Sequence, residues 1–176
     1  GEDCTVTNES GYTRAGQVYY DAPITRPELS RTGWHYTWTD EPADRMPAAD
    51  TEYTAEWALN AYTVRFDANG GDGTMTDQSF TYDTAQTLTA NAFTRTGYTF
   101  AGWNTAADGS GTAYADGAEV TNLTAENNGT VILCAQWTPN SYTVRFDANG
   151  GDGTMTDQSF TYDTAQALTA STFTRT

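Results

Sequence analysis

The chain has 176 residues, with 8 Arg and no Lys against 23 acidic residues, for a formal net charge of −15. That balance excludes nucleic acid and anionic membrane surfaces as partners, since both are held by clustered cations, and a chain without Lys has no Walker lysine, Schiff-base lysine or Lys–Asn isopeptide link. The longest apolar run, Val131 to Ala135, is far short of the roughly 20 residues of a membrane span, so no insertion of this segment is expected. Leu, Ile, Val and Phe total 21 residues, a share found in disordered chains. Aromatic residues reach 13%, which is enough large side chain to build cores.

In chain order, residues 1–61 form a first, diverged unit. It contains Arg31-Thr32-Gly33-Trp34 and the run TEYTAEW ending at Trp57. A second unit covers 62–141. Tyr62, Val64 and Phe66 alternate with Thr63, Arg65 and Asp67, which is strand periodicity with one apolar and one wet face. Phe80 and Tyr82, then Tyr98 and Phe100, then Leu133, Ala135 and Trp137 continue the pattern, with Cys134 and Gln136 on the wet side. Four strands are predicted. Asn69-Gly70, Asp108-Gly109, Asp116-Gly117 and Asn128-Gly129 supply turns. Thr84 to Thr96 is the one stretch with room for a helical turn. The predicted core is Val64, Phe66, Phe80, Tyr82, Leu88, Phe93, Phe100, Trp103, Leu133, Ala135 and Trp137.

From Tyr142 the sequence repeats itself. Tyr142 to Gln166 is identical to Tyr62 to Gln86, a period of 80 residues. Extended to Thr176, the copies differ only at Thr87/Ala167, Asn91/Ser171 and Ala92/Thr172. The third unit, 142–176, is therefore the first half of a repeat. A permuted folding unit, 97–176, is the alternative partition. The joints, Ala58-Leu59-Asn60-Ala61 and Thr138-Pro139-Asn140-Ser141, are too short to act as loose tethers. Net charge divides as −7, −6 and −2 over the three units, so it marks an array and not a cleft.

YTVRFDANGG, RTGYTFAGWNTAADGSG and VILCAQW together resemble the Listeria–Bacteroides repeat, the B-repeat of internalin-type surface proteins. The resemblance covers repeat 2 and the front of repeat 3, and repeat 1 more loosely. It implies an α+β, predominantly β fold: tandem small β-grasp-like (ubiquitin-like) modules with a helix across the sheet. It also implies an extracellular place on the bacterial cell surface. The expected function is a non-enzymatic stalk, spacer or adhesin module that packs against neighbouring repeats. A module binding a host-surface protein or glycan is the alternative.

Candidate sites are few. Asp67, Asn69 and Asp72 are oxygen ligands in a Gly-rich loop that resembles a calcium loop, but position 12 is Gln78, and a hairpin turn explains the same residues. No cofactor is implied. His35 is the sole His and aligns with Thr99, so a His-dependent catalytic site is confined to repeat 1. The remaining acids sit in turns or on wet strand faces, and no catalytic residue is assigned. Trp57, Trp137, Tyr82 and Tyr98 fall on apolar positions. Tyr114 lies outside a clear strand and is the best candidate for an exposed ligand-stacking ring. Cys4 and Cys134 read as unpaired, with a bridge between them as the alternative. Sequons at Asn8, Asn122 and Asn128 matter only in a secreted eukaryotic protein.

Overall fold

A computed structural model describes residues 27–40 and 52–176 in full, together with the backbone of two paired strands, β1 (Asp3–Thr7) and β2 (Thr13–Gln17). Repeat 1 contributes the antiparallel pair β3 (Trp34–Trp38) and β4 (Ala55–Leu59).

Repeat 2 is built on a five-stranded sheet. Its strands are β5 (Ala61–Asp67), β6 (Gln78–Thr81), β8 (Tyr98–Asn104), β9 (Ala113–Tyr114) and β11 (Thr130–Pro139), in the order β6-β5-β11-β8-β9. The central pair β5/β11 is parallel, with Val64 opposite Val131 and Phe66 opposite Leu133. The other pairs are antiparallel. The β8/β11 ladder shifts register between Gln136 and Trp137, where Phe100 and Gly102 face neighbouring residues and Ala101 is left over, a bulge. A second small sheet pairs β7 (Gln86–Thr87) with β10 (Glu119–Val120).

The core is aromatic, as the composition requires. Trp103, Tyr62, Phe80, Leu88, Leu133 and Val64 are the largest fully buried side chains. Trp103 is the hub, with ring centroids 4.9 Å from Phe66, 4.9 Å from Phe100 and 6.1 Å from Phe93. Such edge and tilted contacts add to the area that each ring removes from water. Phe100 and Trp137 are half-buried against the cluster, and Tyr82 is half-buried outside it. Tyr62 and Val120 are core residues that the predicted set lacked.

Two expectations are corrected. The α+β class does not hold, because among the described residues there is no helix: the fold is all-β. The stretch Thr84 to Thr96, the one possible helix, holds only the short strand β7 and an isolated bridge at Thr94. Its apolar residues Leu88 and Phe93 are five apart, so they share no helical face. Instead β7 pairs with β10, the Leu88 amide donates to the Ala118 carbonyl, and both side chains are buried. Cys134, expected on the wet face, is buried. It sits between two neighbouring strands, opposite Asp67 on β5 and Asn104 on β8, and the next-but-one side chain, Gln136, donates toward the Ala106 and Ala107 carbonyls of the loop after β8.

The front of repeat 3 forms an antiparallel hairpin, β12 (Ser141–Val144) and β13 (Gln158–Thr161). Its geometry copies β5/β6. Tyr142 and Phe160 stack at 5.7 Å, as Tyr62 and Phe80 do at 5.5 Å.

Candidate functional site

The loop 67–73 is closed on itself. The Asp67 carboxylate accepts the Asn69 amide at 2.7 Å, an Asx turn. Asn69 takes the left-handed conformation (φ 46°), and its Nδ2 donates to the carbonyls of Ala107 and Ala135. The Asp72 backbone pairs with Thr94. Asp67 therefore shapes the turn, Asn69 ties it to β11, and Asp72 ties it to the 84–96 stretch. Among the described residues, no group of three or more His, Cys, Asp or Glu is placed to hold a metal.

Tyr114 lies in β9 opposite Trp103 and packs, partly buried, against the core. Cys134 is a free thiol whose pKa is raised by burial and by the nearby Asp67 carboxylate. The Cys4 side chain and the Asn8 sequon lie outside the described residues. Asn122 is engaged with Asp83: it accepts the Asp83 amide at 2.6 Å, and its Nδ2 donates to the carboxylate at 2.8 Å. His35 Nδ1 meets the side-chain oxygen of Asn60 at 2.9 Å, an amide rather than a nucleophile or carboxylate.

That contact leads to a polar feature that recurs among the described residues, the joint between repeats. Of the four residues expected to form each connector, only Asn60 and Asn140 lie outside strands. The Asn60 N–H donates to Gly33 O at 2.8 Å and closes the β3/β4 ladder. Its carbonyl accepts Tyr82 N–H at 2.8 Å and closes the β5/β6 ladder. One residue thus belongs to the hydrogen-bonded edges of two repeats. Asn140 does the same between β8/β11 and β12/β13, donating to Gly97 O at 2.8 Å and accepting from Tyr162 N–H at 2.9 Å.

Side chains repeat the correspondence. Thr99 Oγ1 donates to Asn140 Oδ1 at 2.7 Å, where His35 meets Asn60 in the first joint. Arg95 lies over the Tyr98 ring at 4.0 Å, and Arg31 over Trp34 at 3.9 Å, a cation–π contact at each corner. Tyr98 also meets Tyr162 edge-on at 5.6 Å, and its hydroxyl donates to the Asp163 carboxylate at 2.8 Å. That acceptor raises the Tyr98 pKa above the ordinary tyrosine value.

Comparison with known proteins fits this repeated construction. A model of the Listeria–Bacteroides repeat domain matches residues 62–135 and 142–176, more than half of the chain. The chain belongs to the Listeria–Bacteroides repeat family. It is 34% identical over 160 residues to internalin H of Listeria monocytogenes, covering 85% of this chain and 24% of that protein. It is 37% identical over 109 residues to a protein of Evansella cellulosilytica named as a Gly-rich membrane protein, covering 60% of this chain and 12% of the relative. A second protein of that organism, named as a membrane protein, is 35% identical over 118 residues, or 65% of this chain and 16% of the relative. The chain thus spans a quarter or less of these relatives. No solved structure matches it. No helix among the described residues is long and apolar enough to cross a membrane.

The sequence candidates do not converge on one site. The joint residues Gly33, Asn60, Gly97, Asn140 and Tyr162 were not singled out as a set, although a signal existed. ALNA and TPNS, the two connectors, share only their Asn.

Proposed function

We propose that this chain is a non-enzymatic, extracellular spacer segment of a bacterial cell-surface protein, in which successive repeats step outward at a fixed orientation. The units are residues 1–61, 62–141 and 142–176. The supporting observation is the joint: one Asn serves the ladders of two repeats, twice, with equivalent partners. A connector made of a single residue hydrogen-bonded on both sides does not behave as a flexible tether. The sheet order, with its central parallel pair, supports a β-grasp-like module in which the non-helical 84–96 stretch occupies the place of the crossing helix. Tyr82, Tyr98 and Tyr162 are engaged at the joints, and Tyr114 against the core, which supports a spacer over a sugar-stacking platform.

Small-angle scattering on chains carrying one, two and four further copies of 62–141 tests the spacer. The expected maximum dimension grows linearly with copy number. Growth near the square root of copy number, as for a flexible chain, would remove the proposal.

A further inference from the structure

Beyond the shared Asn, each joint brings two side-chain surfaces together. The back of one repeat presents a glycine in the left-handed region, Gly33 (φ 76°) or Gly97 (φ 78°), followed by an aromatic residue. The front of the next lays a tyrosine ring over that glycine: Tyr82 on Gly33, and Tyr162 on Gly97. A Cβ at either glycine would fall within the tyrosine ring, so any other residue displaces the neighbouring repeat as well as straining its own turn.

The first joint carries a second front element, the loop 122–129. Asn60 Nδ2 donates to the Ala125 carbonyl at 2.7 Å, the Asn128 amide to the Ala61 carbonyl at 2.7 Å, and the Ala61 amide toward Asn127 Oδ1 at 3.3 Å. The Asn60 side chain is thereby used at both ends, with Oδ1 toward His35 of the repeat before and Nδ2 toward the loop of the repeat after. Asn60 is 5% exposed. At the second joint Asn140 is exposed.

Repeat 2 holds both halves of this arrangement. Its front is Tyr82 with the 122–129 loop, and its back is Gly97, Tyr98, Thr99 and Asn140. We propose that these are complementary docking surfaces, and that the partner of each repeat's back surface is the front surface of another copy of the same repeat. The contact is heterologous, head to tail, and it propagates along a chain without closing. The inference deepens the spacer reading and rests on it for its biological meaning. The complementarity itself rests on the two glycine–tyrosine contacts and the loop.

Residue-resolved amide exchange on the full chain tests it. In the unmodified chain the amides of Asn60, Tyr82, Asn140 and Tyr162 are expected to be slow. Gly33→Ala is expected to speed Asn60 and Tyr82 by about tenfold or more, leaving Asn140, Tyr162, Leu133 and Ala135 unchanged. Gly97→Ala should do the reverse, speeding Asn140 and Tyr162 alone. Because alanine strains its own turn, Tyr82→Ala is the independent variant: it keeps Gly33 and should still speed the Asn60 amide. Joint amides that exchange freely in the unmodified chain would overturn the proposal. So would variants that leave them slow, or that speed Leu133 and Ala135 equally. Protected joints combined with non-linear scattering growth would refute the spacer and leave the docking surfaces standing.

Discussion

Tyr98 shows how one position couples neighbouring repeats. Its ring lies beneath Arg95, meets Tyr162 edge-on, and sends its hydroxyl to Asp163. The Asp163 hydrogen bond raises its pKa, so the folded array favours the protonated phenol. The stabilisation is fully present below the unfolded tyrosine value, near 10, and is lost as pH rises through the higher folded value. Ultraviolet titration should therefore show tyrosines ionising late, and Tyr98→Phe should remove one of them. The late signal that remains is assigned to Tyr62, whose pKa burial also raises. An unchanged late component in Tyr98→Phe would contradict the contact.

Trp103 is a different case at the same scale. It is 1% exposed, and its indole N–H has no hydrogen-bond partner among the described residues. A buried, unpaired donor costs about 1–3 kcal/mol. Both Trp103→Phe and Trp103→Ala remove that donor; Trp103→Phe leaves the smaller cavity and Trp103→Ala the larger one. Urea unfolding should place Trp103→Ala about 3–5 kcal/mol below the parent, with Trp103→Phe losing less than half as much. Equal losses would contradict the place of an aromatic ring at the hub of this core.

At the scale of elements, the duplicated sequence supplies its own control. Tyr62 to Gln86 and Tyr142 to Gln166 are identical, yet Tyr62 is 2% and Tyr142 51% exposed. β5 runs seven residues because β11 pairs with it through Cys134 opposite Asp67, whereas β12 stops after four. The hairpin is thus encoded locally, and burial comes from the second half of the repeat. Val64→Ala should cost about 2–3 kcal/mol, from two lost methyl groups and a cavity. Val144→Ala, at a half-buried position, should cost under about 1 kcal/mol. Equal values in urea melts would contradict this division.

The same comparison shows what the sequence made legible. Alternation of Val64 with Phe66 and of Leu133 with Ala135 located the strands and most of the core, because a half-buried strand writes its period directly. The 84–96 stretch was not legible. Its conformation is fixed by partners distant in sequence, Ala118 and Val120, that no local pattern reveals. The burial of Cys134 is likewise not legible: it lies opposite Asp67 on β5 and Asn104 on β8, strands distant in sequence. In the calcium-like loop the local pattern did show a turn, which the Asp67 carboxylate and the Asn69 side-chain amide hold in place.

For the whole molecule, the acidic excess accompanies the array instead of defining a site. Like charge spread over consecutive units favours extension and opposes side-by-side association. The exposed pairs Arg65–Asp77 at 2.9 Å and Arg145–Asp157 at 3.1 Å repeat at the same position and add little stability. The Arg65 hydrogen bond lowers the Asp77 pKa, so its contribution holds above the unfolded aspartate value and fades as pH falls through the folded one. The aliphatic-poor composition that suggests disorder is resolved by rings: Trp103, Phe66, Phe80, Phe93 and Tyr62 supply most of the bulk of a core that holds only a few aliphatic residues, Leu88, Leu133, Val64 and Val120 among them.

The central claim is that one residue, Asn60 or Asn140, locks adjacent repeats into a fixed orientation. Residual dipolar couplings on the full chain test it directly, comparing amides of β5, β8 and β11 with those of the β12/β13 hairpin across Asn140. The account predicts that a single alignment tensor fits both sets together. Two tensors of clearly different magnitude or direction would show units moving independently and would contradict it.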